Sequence, residues 1–391
     1  MQNNQQKPRV AIACGGTGGH LFPGLAVAEQ LMRRGCTVSV LISPKEVDQQ
    51  AIKTASGVEV ATLPAVGLVR GSRMAFVRGF VQSSRAARKL FKREKPEAVL
   101  AMGGFTSAPP VVAARAMGIP TFLHESNMIP GRANRWLSWL VHQAFIGFPG
   151  AAARLHSRNV KVTGTPVRPQ FLPGDLAAAK IALGFSPEKP LLLVTGGSQG
   201  ASGLNDMVLG VLPLLLQQIP DLQLFHLTGP TDVEKVERAC VALGIKAVVR
   251  PFFGEMSLAL GAASVAVSRA GASSLAELAA MRLPAVLVPF PAATDNHQYF
   301  NALAFQETGA AHLLEQKQAT PEILSSLVIQ LIQQSAAREK MQSALDGWHA
   351  PKAAQVIAES IMDKVMNRRR AGSKNPFSET PTIQHHQSAI S

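Results

Sequence analysis

The chain has no Asp-x-Asp, no Cys-x-x-Cys, no Lys-Ser or Lys-Thr after a glycine loop, and no apolar run approaching the ~18–20 residues that span a bilayer. Each absence excludes something. Many sugar-nucleotide enzymes hold a metal on an Asp-x-Asp pair, so this sequence predicts no metal site and no tightly bound cofactor. The missing Lys-Ser or Lys-Thr excludes a P-loop. Three scattered cysteines, Cys14, Cys36 and Cys240, read as reduced, buried thiols rather than a disulfide framework. The polar N-terminus reads as no secretory signal. Acidic residues are scarce, 25 against 39 basic ones, which leaves a formal charge of +14. That balance favours nucleic acid, anionic lipid or phosphorylated substrates. No RRM, KH or zinc-finger signature accompanies it, so nucleic acid is not expected.

At 391 residues and 47% hydrophobic content, two globular domains are predicted. Short apolar runs alternate with helix-period segments in both halves, the rhythm of doubly wound parallel sheets. Strands are predicted at 10–13, 37–42, 58–63, 98–101, 121–124, 144–146 and 160–162. After a Pro-rich linker over 166–189, the rhythm restarts at Pro190, with further strands at 223–227, 247–249, 264–267, 285–288 and 311–314. The expected division is residues 8–165, the linker, 190–350, a closing helix over 351–366 and a disordered tail over 367–391.

Each half opens with a strand running into glycines and then a helix: "VAIACGGTGGHLFPG" from Val10 and "LLLVTGGSQGASG" from Leu191. The first is not a dinucleotide fingerprint, because Leu21 stands where its last glycine belongs. Glycine loops at helix starts present N–H groups at a positive dipole end, suited to anions; the bland alternative is a tight turn with no ligand. A third segment, "SRAGASSLAE" from Ser268, ends a strand and begins a helix. There Ser274-x-x-Glu277 also has the spacing of a capping box. The following strand leads to Asp295-Asn296-His297-Gln298, at the end where open α/β sheets bind ligands.

These segments, with "GGFTSAP" (103–109), "HESNMIPG" (124–131), "GTPVR" (164–168) and "PFPAATDNHQ" (289–298), resemble the MurG family in order over roughly residues 8–365. That family comprises the N-acetylglucosaminyltransferases acting on undecaprenyl-diphospho-muramyl pentapeptide in bacterial peptidoglycan synthesis, and so in cell shape and division. The resemblance implies a GT-B fold: two Rossmann-like α/β domains facing a deep cleft. It implies UDP-GlcNAc as donor, the lipid-linked muramyl pentapeptide as acceptor, inversion at the sugar, and a peripheral place on the cytoplasmic face of the cell membrane. By the same resemblance Ser198 contacts the donor. Gly271, Ala272, Ser273, Ser274, Leu275 and Ala276 surround the uracil side and diphosphate. Glu277 meets the ribose, Phe253 lines the uracil pocket, and Gln298 with His297 touches the GlcNAc hydroxyls. The family often has Gln where this chain has His297, and Tyr where it has Phe105.

Two chemical needs follow. The departing UDP must carry negative charge, which suits helix N-termini and Arg168; Arg168 as an ordinary surface residue is the alternative. The attacking hydroxyl must lose a proton, and His20 is the leading base, with Glu125 as rival and Asn127 as a hydroxyl-positioning partner. Thr17, Gly18 and Gly19 are expected to face a sugar-bearing diphosphate on the acceptor side. Residues 70–95 carry nine Lys or Arg against Glu94 alone, interleaved with Met74, Phe76, Val77, Phe80, Val81, Leu90 and Phe91. This reads as a segment lying on an anionic bilayer; the alternative is a surface helix whose apolar side packs on the sheet. Rival functions are a related GT-B glycolipid transferase, a UDP-GlcNAc epimerase and a non-catalytic membrane-docked binding subunit.

Overall fold

The computed structural model describes residues 7–15, 18–45, 49, 52, 57–64, 73–197 and 200–373. Thr17 and Ser198, and the tail from 374 on, lie outside them. The first half runs β1 (Arg9–Ala13), α1 (Gly18–Arg33), β2 (Thr37–Ile42), β3 (Glu59–Thr62), α2 (Arg73–Glu94), β4 (Ala98–Ala101), α3 (Ala108–Ala116), β5 (Thr121–Glu125), α4 (Arg132–Leu137), β6 (Gln143–Ile146) and β7 (Val160–Val162). Helix α5 (Leu176–Ala182) then leads into β8 (Leu191–Thr195), α6 (Ser202–Gln218), β9 (Gln223–Leu227), α7 (Val233–Ala242), β10 (Lys246–Arg250), α8 (Met256–Ala262), β11 (Val265–Ser268) and α9 (Ala272–Met281). Then come β12 (Ala285–Leu287), α10 (His297–Glu307), β13 (His312–Leu313), α11 (Pro321–Gln333), α12 (Ser335–Asp346) and α13 (Ala353–Ser373).

The two sheets have the orders β3-β2-β1-β4-β5-β6-β7 and β10-β9-β8-β11-β12-β13. Every pairing is parallel, as in Val10 with Ala98 across β1/β4 and Val265 with Leu192 across β11/β8. The inner strands are buried on both faces, because helices cover both, whereas the edge strands β3, β7 and β10 are more exposed. In each sheet the chain reverses direction beside the first strand, at β1/β4 and at β8/β11. The crevice at such a switch point is where open α/β sheets bind ligands. Gly18 and Gly19 of the first glycine loop and Gly196, Gly197 and Gly200 of the second line the cleft there, and the Gly103-Gly104 turn follows β4.

Two expectations about the connections change. The 166–189 linker is not merely a run of turns. Asp175 accepts from the amides of Ala177 and Ala178, capping α5, which packs on α8. The closing helix extends to Ser373, past the expected start of a disordered tail at 367. Its apolar residues recur at helical spacing, and Ile357, Ala358, Ile361 and Val365 are at most 1% exposed. They join the core of the first domain, against α1, although they follow the second domain in sequence. Arg369 forms a two-pronged ion pair with Glu97, and Arg368 donates to the carbonyl of Gly118, so the last turns are tied to the first sheet.

All three cysteines are buried. Cys14 ends the run after β1, where a Cβ on Gly24 of α1 would lie 3.1 Å from its sulfur. Gly24 therefore supplies the close helix–strand approach that a fingerprint glycine at position 21 would otherwise give.

Candidate active site

Helix α1 begins at Gly18, so His20 lies in its first turn rather than closing a loop. Its ring packs on the turn after β4: a Cβ on Gly103 would lie 2.9 Å from the His20 Cε1, and Gly103 and Gly104 have φ of 112° and 77°. Only glycine combines that backbone with that approach. Pro23 also sits inside α1. It has no N–H, so the carbonyl of Gly19, four residues earlier, has no helical donor. That carbonyl accepts instead from Ser273 Oγ of α9, 2.8 Å away in the other domain.

The cleft between the domains has a volume of about 550 Å³. Gly18, Gly19, His20 and Asn127 line one wall; Gly271, Ala272, Ser273, Ser274, Glu277, His297 and Gln298 line the other, with Arg168 and Phe253. Leu275 and Ala276 do not line it. The helical turn rotates them away, and Leu275, 1% exposed, is core. The capping box is absent too. Gly271 is the N-cap of α9 with no side-chain cap bond, and Ser274 is already its third residue. The first N–H groups of α9 are therefore open toward the cleft.

Glu277 lies a turn further on, partly buried in the cleft wall. Burial pushes its carboxyl up to about 7, with Arg168 pulling the other way. Arg168 is no surface residue: its guanidinium lies 4.3 Å from the Phe22 ring centroid and 5.1 Å from that of Phe171, and burial lowers its pKa. Phe253 packs edge-on against Phe225 at 5.2 Å. Gln298 Oε1 accepts from the amides of Ala270 and Phe290, so its NH2 is the group left for a ligand. His297 Nδ1 bonds the Thr294 carbonyl at 2.8 Å, which places the proton on Nδ1 and leaves Nε2 an acceptor.

Glu125 is not placed as a base. It is 1% exposed and does not line the cleft. Its two oxygens accept from the Asn127 amide, Asn127 Nδ2, the Gly131 amide and Asn134 Nδ2, at 2.7–3.1 Å. A carboxylate so engaged braces the 125–134 turn. Asn127 is also engaged: its Oδ1 accepts from Asn301 Nδ2, whose Oδ1 in turn accepts from the Met128 amide. His124 is fully buried between the Gly164 carbonyl and Ser126 Oγ, and burial lowers its pKa to about 4. Among the described residues no group of three or more His, Cys, Asp or Glu comes together.

Comparison with known proteins places this geometry. The model described as the glycosyltransferase family 28 N-terminal domain matches residues 10–146, and the family 28 C-terminal domain matches residues 191–361. The chain belongs to glycosyltransferase family 28. A protein of Anaeromyxobacter sp. (strain K) is 37% identical over 388 residues, covering 95% of this chain and 96% of that one. It is named UDP-N-acetylglucosamine–N-acetylmuramyl-(pentapeptide) pyrophosphoryl-undecaprenol N-acetylglucosamine transferase. The crystal structure of Acinetobacter baumannii MurG superposes with a TM-score of 0.70 at 28% identity, covering 92% of this chain and all of that one. A UDP-N-acetylglucosamine 2-epimerase reaches 0.66 at 14% identity over 93% of this chain and 98% of its own; that likeness is of fold alone.

This family 28 glycosyltransferase also uses residues that sequence reasoning passed over. Asn301, fully buried on α10, ties Asn127 of the first domain to the Ala270 carbonyl of the second. Its position in "HQYFNA" was the only signal. Asp295, already singled out in the polar cluster at this strand end, takes Arg132 and Arg135 of α4 in the first domain in ion pairs, which the cluster alone did not reveal. Asp295 and Asn296 hold φ of 52° and 53°, which their short polar side chains tolerate. Arg269, inside "SRAGA", lines the second-domain wall of the cleft although 5% exposed.

Helix α2 divides along its length. Phe91, 1% exposed, and Ala87 are core, with Leu90 packed beside them, so that end follows the ordinary surface-helix pattern rather than the membrane reading. The other end leaves Met74, Val77 and Val81 at 85%, 58% and 40% exposure. Helical spacing puts Arg78, Arg85, Arg88 and Lys92, all exposed, on the same stripe. Phe76 turns inward onto the edge of Phe105 at 6.0 Å. Among the described residues no helix is long and apolar enough to cross a membrane.

Proposed function

We propose that this enzyme transfers GlcNAc from UDP-GlcNAc to the 4-hydroxyl of the lipid-linked muramyl pentapeptide, with inversion, and without a divalent cation. The observation that carries the reading is one cleft with His20 on one wall and the uncapped start of α9 on the other, the walls joined by Ser273 and Gly19. The relatives' names describe GlcNAc transfer between that donor and that acceptor.

The roles follow from chemistry. Phe253 covers the uracil and Glu277 accepts from the ribose. The starts of α6 and α9, with Arg168 and Ser198, receive the diphosphate, where negative charge grows as the glycosidic bond breaks. The Gln298 NH2 and His297 Nε2 hold sugar hydroxyls. The anomeric carbon passes through an oxocarbenium-like state while the acceptor oxygen approaches from the opposite face. His20 takes that hydroxyl's proton, becoming imidazolium, and returns it to solvent after UDP leaves. Asn127 borders the acceptor, and Thr17 to Gly19 its diphosphate.

The acceptor is held in a membrane, so the enzyme must reach one. The Met74–Val81 face and the basic stripe of α2 dock it peripherally on an anionic, cytoplasm-facing bilayer. The test is UDP release from UDP-GlcNAc with and without acceptor, each with excess EDTA. The reading predicts acceptor-dependent release that EDTA leaves unchanged. Acceptor-independent turnover would favour an epimerase or hydrolase, and loss in EDTA would overturn the metal-free part.

A further inference from the structure

Arg269 follows β11 and is 5% exposed. Its Nη1 donates to the carbonyls of Val288 and Pro289, each at 3.1 Å, and its Nη2 to Gln316 Oε1 at 2.8 Å. Nε is buried without a hydrogen-bond partner. Every acceptor is neutral, and no carboxylate pairs with this guanidinium among the described residues. Burial pushes its pKa down to about 10, with no neighbouring charge contributing. Buried cations are normally paired, because desolvation is otherwise uncompensated.

The surroundings have the same sign. Helix α9 starts three residues later, at Ala272. Gln316, which holds Nη2, also packs on Gly203 of α6, where a Cβ would lie 2.7 Å from its amide nitrogen. Arg269 is thus tied to the starts of both donor-side helices, each a positive dipole end. A guanidinium and two such ends are assembled on one wall of the cleft, and the carboxyl on that wall, Glu277, faces Arg168 rather than Arg269.

We propose that Arg269 is the buried counter-charge for the diphosphate of the sugar nucleotide. It is a positioning residue: three of its five N–H groups are held by carbonyl oxygens and its Nε–H is buried, so it acts through its field across a low-dielectric wall rather than by contact. Those bonds keep the charge fixed while the leaving diphosphate gains negative charge, so little reorganisation opposes bond breaking. The inference rests on the UDP-GlcNAc reading and adds a residue to it. The competing explanation is a neutral staple that merely shapes the 288–290 turn.

The two separate by comparing UDP with uridine. Calorimetric affinities for both are measured on the wild type, Arg269→Met, Arg269→Lys and Gln316→Glu. The last places a carboxylate on Nη2 and cancels the charge without removing Arg269, so it serves if Arg269→Met does not fold. Expected is a loss of about tenfold or more in UDP affinity for Arg269→Met and Gln316→Glu, with uridine changed less than about threefold. Arg269→Lys keeps the UDP-to-uridine ratio within about threefold of wild type and loses less kcat than Arg269→Met. An unchanged ratio in the charge-cancelled variants, or equal losses for both ligands, overturns the proposal. A wild type that binds no UDP overturns the underlying functional reading as well.

Discussion

Ser273 Oγ of the second domain donates to the carbonyl of Gly19 in the first, across 2.8 Å. The contact exists because Pro23 lacks the N–H that would claim that carbonyl within α1. A helix-breaking residue thus creates an interdomain acceptor next to His20 in the chain. Ser273→Ala removes one neutral hydrogen bond, about 0.5–1.5 kcal/mol, so kcat/KM for UDP-GlcNAc should fall about 2–10-fold with a loss of no more than a few degrees in melting temperature. Pro23→Ala restores a rival donor and should act in the same direction. Unaltered kinetics in both would mean that the contact is not used in turnover.

His20 and Glu125 are separable by stability. His20→Ala should lower kcat by about 10²-fold or more while UDP affinity and melting temperature hold. Glu125→Gln replaces one acceptor oxygen by an NH2 donor that faces two of the four N–H groups, at about 1–3 kcal/mol for each group left unpaired. Activity and melting temperature should therefore drop together. A stable, inactive Glu125→Gln enzyme would return Glu125 to the role of base.

Glu277 makes stability depend on pH. Its folded-state pKa is raised to about 7 from 4.5. A raised carboxyl is best accommodated protonated, so its contribution is fully present below about 4.5 and is lost as pH rises through about 7. The melting temperature of wild type relative to Glu277→Gln should therefore fall between pH 5 and 8. Arg168→Met should steepen that fall, because Arg168 opposes the shift. A pH-independent difference would show that Glu277 is not desolvated in the folded protein.

The α2 stripe predicts salt-sensitive binding to anionic vesicles. Each surface Lys or Arg contributes about 1 kcal/mol, so replacing Arg78, Arg85, Arg88 and Lys92 by Gln should weaken partitioning by about 10²-fold or more. Met74→Asp with Val77→Asp should weaken it in high salt as well. Binding that ignores both sets would place the membrane face elsewhere.

Ile361 on α13 is fully buried in the first-domain core. Ile361→Ala should cost about 2–5 kcal/mol of stability. Hydrogen exchange should localise the loss to β1, β2 and α1 rather than to the second sheet that precedes α13 in the chain. A loss confined to the second domain would contradict the packing.

The parallel sheets were legible because buried strands read as short apolar runs, and the glycine loops because close backbone approach demands glycine. What the sequence hid came from contacts between distant positions. Nothing near Glu125 says that four N–H groups converge on it. Asn301 acts on Asn127, 174 residues away. Arg269 looks like one more cation in a basic chain until its burial without a carboxylate is seen. The helix beyond residue 367 was missed because Arg368 and Arg369, polar in sequence, are held by Gly118 and Glu97 of the first domain. Leu275 and Ala276 were misplaced by treating a motif as a continuous surface, whereas a helix presents only one side of it to the cleft.

Group transfer across this cleft with inversion leaves its record in the product. The direct measurement is incubation of the purified protein with labelled UDP-GlcNAc and lipid-linked muramyl pentapeptide, followed by NMR of the new linkage. The expected product is labelled GlcNAc joined β to the muramyl 4-hydroxyl, with one UDP released for each sugar transferred. An α-linkage, or UDP release without labelled acceptor, would contradict it.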